Sequence, residues 1–162
     1  MAHAHHYEEA IAIPAKIESV FAYVDDHDNL AGHMDRPSMM MAGSRLETRL
    51  DEGRGQTIGS HIRMRGRVLG IPIDLDEVVT ERVEPTHKAW ETVGVPRLIV
   101  IGPYEMGFDV NPNANGSMLR VSIDYDLPPK NAWLGRLFGK LYARWCVRQM
   151  TGEASHHFAR GS

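Results

Sequence analysis

The sequence predicts an α+β domain in which one antiparallel sheet curls around a single long C-terminal helix. Three observations carry that prediction. Six successive segments between residues 45 and 125 alternate apolar and polar side chains, the period of strands with one wet face. Residues 15–24 and 131–158 instead repeat at three and four residues, the period of a helix. Helix is also in short supply. One long helix cannot cover every inward side chain of a broad sheet unless the sheet bends around it, and bending leaves a hollow wherever side chains are too few to fill it.

The elements follow in order. Tyr7 to Ile13 alternates weakly and stops at Pro14, as a first strand does. Ile17, Val20, Phe21 and Val24 form the stripe of a short amphipathic helix, with Pro14 near its start. Asp25-Asp-His-Asp28 ends that helix, and one of these acids caps a second over Leu30 to Met34. The same cluster lacks the spaced ligands and the glycine of a calcium loop. Arg45 to Leu50 is a strand, closed by a tight turn over Asp51 to Gly55. Ile58, Ser60, Ile62 and Met64 then alternate with Gly59, His61, Arg63 and Arg65, giving an apolar face and a basic face.

A break is expected over Gly66 to Pro72. Beyond it Ile73, Leu75, Val79 and Val83 alternate with Asp74, Asp76, Thr80 and Arg82. His87 to Val93 is a strand around Trp90, and Tyr104, Met106, Phe108 and Val110 are the inward face of the next. Asn111 to Gly116 is the strongest turn signal in the chain. Leu119, Val121, Ile123 and Tyr125 follow with strand alternation. After Pro128-Pro129 no proline recurs. At 100° per residue, Leu134, Leu137, Phe138, Leu141, Tyr142 and Trp145 gather on one broad face, read as core contact, with Arg136, Lys140 and Arg144 on or near the other side.

Composition sets the bounds. A chain of 162 residues, 43% hydrophobic and 24% charged, suits one ordinary globular domain, assigned here to residues 7–159. Eighteen Lys and Arg against 21 Asp and Glu give a net charge of −3, which offers no global field for nucleic acid. The lone Cys146 excludes an internal disulfide and fits a reducing cytoplasm. Neither a secretory signal nor a spanning segment is visible, so no stable membrane insertion is expected. Residues 1–6, with His3, His5 and His6, read as a disordered or tag-like terminus.

The opening IPAKIESVFAYVDDHDNLAGHM resembles the start of the START-related, SRPBCC or helix-grip superfamily, in particular its polyketide cyclase/dehydrase-like branch. The stretch DEVVTERVEPTHKAWET resembles the strand, proline-containing turn and strand of that branch, and the long last helix agrees. Where the family often carries a tryptophan near the end of the second helix, His33-Met34 stands here. The resemblance covers residues 7 to 158. It implies a seven-stranded antiparallel sheet gripping the final helix around an apolar cavity. It also implies hydrophobic ligands such as lipids, sterols and polyketides, with cyclisation, dehydration or hydrolysis in some members.

The inward wall candidates are Ile62, Met64, Leu75, Trp90, Tyr104, Met106, Phe108, Val121, Ile123 and Tyr125 on strands, with Leu134, Phe138 and Leu141 on the helix. Glu77 shares strand parity with Leu75 and Val79 and so points inward unless a bulge intervenes. A buried carboxylate needs a partner such as Arg148, or a raised pKa. His33, Met34 and Met39 to Met41 are expected at a pliable rim. Residues 95–99 mark an entrance, a homodimer contact or the start of a strand. Arg63, Arg65 and Arg67 are matched by cross-strand pairing with Asp74 and Asp76. Cys146 reads as inert packing.

No phosphate loop, HExxH, CxxC or G-x-S-x-G occurs, so neither metal nor cofactor is expected. The leading expectation is binding of a small hydrophobic or aromatic molecule, lipid-, polyketide- or isoprenoid-like, between sheet and helix. The alternative is a cyclase or dehydratase with Glu77, His33 and Tyr104 as acid/base groups. A second alternative is a ligand-free homodimeric interaction module.

Overall fold

The computed structural model describes residues 2–31, 45–68 and 70–161. Its elements run β1 His5–Ile13, α1 Ile17–Asp25, α2 His27–Ala31, β2 Arg45–Leu50, β3 His61–Val68, β4 Ile71–Val83, β5 His87–Thr92, β6 Tyr104–Asn113, β7 Gly116–Tyr125 and α3 Ala132–Arg160. The seven strands form one curved antiparallel sheet in the order β1-β7-β6-β5-β4-β3-β2. Every connection from β2 to β7 is a neighbour-to-neighbour return. Only β1 pairs out of sequence, with β7, and α3 lies chiefly on those two strands. This is the helix-grip arrangement.

Strand parity holds for most of the sheet. Tyr104, Met106, Phe108 and Val110 on β6 and Leu119, Val121, Ile123 and Tyr125 on β7 are all buried. On the outer face the expected charge ladder forms, Arg65 to Asp74 at 3.2 Å and Arg63 to Asp76 at 3.6 Å. Several strand limits differ from expectation. β3 and β4 extend into the anticipated break, to Val68 and from Ile71, so that Arg67 lies opposite Pro72. Ile58 precedes β3 and is exposed.

A bulge between Val79 and Glu81 changes the parity of β4. Before it the odd-numbered residues face inward; beyond it Arg82 pairs with Lys88, and Val83 turns outward to solvent. The consequence reaches α1. Val20, Phe21 and Val24 bury its apolar stripe, with Phe21 5.5 Å from Phe108, and Asp25 at its last turn is buried as well. The re-aimed Arg82 donates to Asp25 at 2.8 Å, and Lys88, itself buried, donates to it at 2.9 Å. An acid of the cluster does cap the second helix, Asp26 Oδ1 accepting the Asp28 N–H at 3.0 Å, but α2 begins at His27, three residues before the expected Leu30.

The N-terminus corrects one expectation. His5 and His6 belong to β1, opposite Tyr125 and Asp124. Carboxylates on β7 and just beyond it hold this end: Asp124 bonds His6 at 2.7 Å and Asp126 bonds His3 at 2.8 Å. Ordered backbone therefore begins before residue 7.

The facing of α3 corrects another. Four rows run along the helix at four-residue steps. The buried row is Gly135, Gly139, Ala143 and Val147, not the large apolar face. Leu134 is only half-buried, while Phe138 and Leu141 are 48% and 56% exposed. Close approach selects the small side chains. A Cβ on Gly135 would lie 2.6 Å from Pro128 Cδ and 3.0 Å from the Val100 carbonyl oxygen. Gly135→Ala is accordingly expected to lower stability by about 1–3 kcal/mol through overpacking, net of a helix-propensity gain of about 1 kcal/mol. Urea unfolding checks this, and an unchanged or raised midpoint would contradict the close approach.

Candidate functional site

The site follows from register. Ile62 on β3 is opposite Glu77 on β4, Glu77 is opposite Thr92 on β5, and Tyr104 on β6 is opposite Tyr125 on β7. Thr92 and Tyr104 continue the same row, the Tyr104 N–H donating to Thr92 Oγ1 at 3.1 Å. Two strand spacings, about 10 Å, separate the backbones of β4 and β6. The short side chain of Thr92 leaves that span open, and the Tyr104 hydroxyl crosses it to donate to Glu77 Oε1.

Glu77 faces inward because the bulge lies beyond it on the strand, and it is only 2% exposed. Arg148 is not its partner; that guanidinium bonds Glu9 on β1 at 2.8 Å. Burial pushes the Glu77 carboxyl up to about 7, against hydrogen bonding from Tyr104 and Trp90 and the more distant charge of Lys88, while Asp76 adds to the push. The same burial, reinforced by the carboxylate, holds the Tyr104 phenol well above its ordinary range. A carboxyl poised there can give or take a proton near neutral pH.

Tyr142 and Cys146 on α3 complete the group. Glu77 is close enough for its charge to help raise both, so groups from β4, β6 and α3 share one environment. Tyr142 is raised well above the usual phenol range, first by Cys146 and then by burial. Burial pushes the Cys146 thiol up to about 12, which removes it as a nucleophile. These two belong to the α3 row Leu134, Phe138, Tyr142 and Cys146, one residue from the buried row. The helical period alone puts Tyr142 on a broad apolar face and assigns Thr92 no role. Its parity with Trp90 was the available signal.

All ten strand candidates are buried. Apart from Tyr125, at 3% exposed, they fall into two sets. Ile62, Phe108, Val121 and Ile123 are at most 2% exposed and are sealed core, whereas Met64, Leu75, Trp90, Tyr104 and Met106 retain 7–8%. Tyr104 is one of the Glu77–Tyr104 pair, and the other four lie on β3 to β6, the strands that carry Glu77 and Tyr104 and those beside them. The expectation that Leu134, Phe138 and Leu141 pack inward does not hold, for the reason given above. His33, Met34 and Met39 to Met41 lie outside the described residues. Residues 95–99 start no strand; Arg97 bridges backbone to Asp74 beyond the end of β5, leaving Val95 exposed. Among the described residues, no group of three or more His, Cys, Asp or Glu is placed to hold a metal ion.

Norcoclaurine synthase from Thalictrum flavum, solved with dopamine and hydroxybenzaldehyde, superposes with a TM-score of 0.66 at 16% identity, covering 98% of this chain and 88% of that one. The di-domain ARO/CYC BexL of the BE-7585A biosynthetic pathway gives 0.68 at 16% identity, over 95% of this chain and 50% of its own. Ara h 8.0201 gives 0.61 at 15% identity, over 93% and 97%. At these identities the likeness is one of fold. No curated protein matches the chain by sequence. The family described as polyketide cyclase/dehydrase and lipid transport matches residues 4–159. Sequence match, seven-stranded sheet and gripped helix agree, and the chain belongs to that family.

Proposed function

We propose that the chain binds a small hydrophobic or aromatic molecule against the concave face of β3–β6, with the Glu77–Tyr104 pair meeting its one polar group. The observation that carries this reading is the pair itself, a carboxyl and a phenol buried side by side among incompletely sealed Met64, Leu75, Trp90 and Met106. Binding sites are apolar with a few placed polar groups, and this is that composition. Native mass spectrometry of the purified protein and displacement of Nile red by fatty acids, isoprenols and naphthols test it. Displacement weakened at least tenfold in Tyr104→Phe supports the polar contact. No Nile red binding and no co-purified molecule would overturn the reading.

One observation favours catalysis at the same place. A carboxyl near 7 beside a phenol suits proton transfer in a cyclisation or dehydration. In that reading Glu77 takes or gives the proton and Tyr104 orients it. Turnover of a polyketide-like substrate that falls 100-fold or more in Glu77→Gln, with binding retained, is the expected signature.

A further inference from the structure

Among the described residues, one face of α3 has no element packed over it. Trp133, Leu137 and Leu141 succeed one another at four-residue steps and are 59%, 66% and 56% exposed. Arg136, Lys140 and Arg144 form the adjacent row and are exposed as well. None of these three enters an ion pair among the described residues, whereas Arg148, next in the row, is held by Glu9. Between Asp126 and Glu153 there is no acidic residue, yet there are five basic ones, in a chain whose net charge is −3. Arg136 and Lys140 also line a cleft of about 330 Å³ together with His5 and His6.

We propose that this outer face of α3 docks the protein on an anionic lipid surface. Trp133, Leu137 and Leu141 enter the interfacial layer, and Arg136, Lys140 and Arg144 meet headgroup phosphates. Large apolar side chains beside unpaired cations on one helix are what an in-plane interfacial helix requires. Tryptophan is suited to that depth, and each cation near an anionic leaflet adds attraction. Charge selects the lipid over a second copy of the chain. Two such faces laid together would bring two basic rows into contact. The contact is peripheral, because no helix among the described residues is long and apolar enough to cross a membrane.

Co-sedimentation with vesicles tests this on the full chain. Binding is expected to phosphatidylcholine vesicles containing 30% phosphatidylglycerol, not to pure phosphatidylcholine, and to weaken in 0.5 M NaCl. Arg136→Gln with Lys140→Gln is expected to cost about 30-fold in partition, at roughly fivefold per cation. Leu137→Ser with Leu141→Ser is expected to lose binding while keeping the wild-type melting midpoint, since both side chains are exposed. Equal binding by all three proteins, or none to either vesicle, would overturn the proposal. So would a dimer abolished by the serine pair, because it would assign the face to a second copy.

Discussion

Replacing Asp25 with alanine is expected to destabilise the domain by about 3–5 kcal/mol, the typical cost of removing one partner from a buried charge cluster. Lys88 is only 3% exposed, and its ammonium donates to both the side chain and the backbone carbonyl of Asp25. Without the carboxylate that cation stays in the interior with the Asp25 carbonyl and the Trp90 ring, 5.9 Å away, and no carboxylate bonded to it. Burial already draws the Lys88 ammonium below its ordinary range, with Asp25 opposing, so the lost counter-charge falls on a group with nothing in reserve. The Asp25 carboxyl is the opposite case. Although burial pushes it up, hydrogen bonds from Arg82 and Lys88 outweigh that and hold it below the usual carboxylate range. A carboxyl depressed in the folded state contributes stability above its unfolded value near 4, and loses it as pH falls through the folded value. Urea unfolding of Asp25→Ala at pH 7 checks the first point. A loss under about 1 kcal/mol, the size of an exposed pair, would contradict the buried cluster. Asp25→Leu with Lys88→Met, which removes both charges, is expected to recover most of the loss.

Glu77→Gln is expected to flatten the pH dependence of stability between pH 5 and 8. Here the sign is reversed. The carboxyl is near 7 in the folded protein and near 4.5 unfolded, so the native state binds the extra proton over that interval. Stability therefore falls as pH rises from about 5 to about 7 and levels off above, by about 2–3 kcal/mol in all. Glutamine keeps an oxygen to accept from Tyr104 and carries no charge to desolvate. The difference between wild-type and variant unfolding free energies, measured at each pH, isolates this group from Asp25 and the histidines. A difference constant from pH 5 to 8 would show that Glu77 reaches water.

The sheet was legible in the sequence because one-sided burial writes a period of two. That period places Glu77 inward between Leu75 and Val79, and it sets Arg63 and Arg65 against Asp76 and Asp74. Val83 escaped it, since a bulge is a local geometry that leaves no mark on the alternation of apolar residues. The helix was misread for a different reason. A period of 3.6 finds an apolar face, but hydrophobicity alone does not say which face approaches a sheet. On α3 that approach belongs to Gly135, Gly139 and Ala143, the residues with least hydrophobic signal. The site was legible in part. Parity gave Glu77 and Tyr104 separately; their meeting depends on β4 and β6 being two strands apart with Thr92 between them, which is topology and register rather than composition.

One titration decides whether Glu77 lies in an apolar site open to a ligand. Protein labelled with ¹³C at glutamate carboxyls is followed by NMR from pH 4 to 9, alone and saturated with Nile red, with Glu77→Gln for assignment. One resonance titrating near 7, absent from the variant and moved to higher pH when the dye excludes water from the carboxyl, is the expected result. A midpoint at the ordinary glutamate value, or one that saturating dye leaves in place, would contradict it.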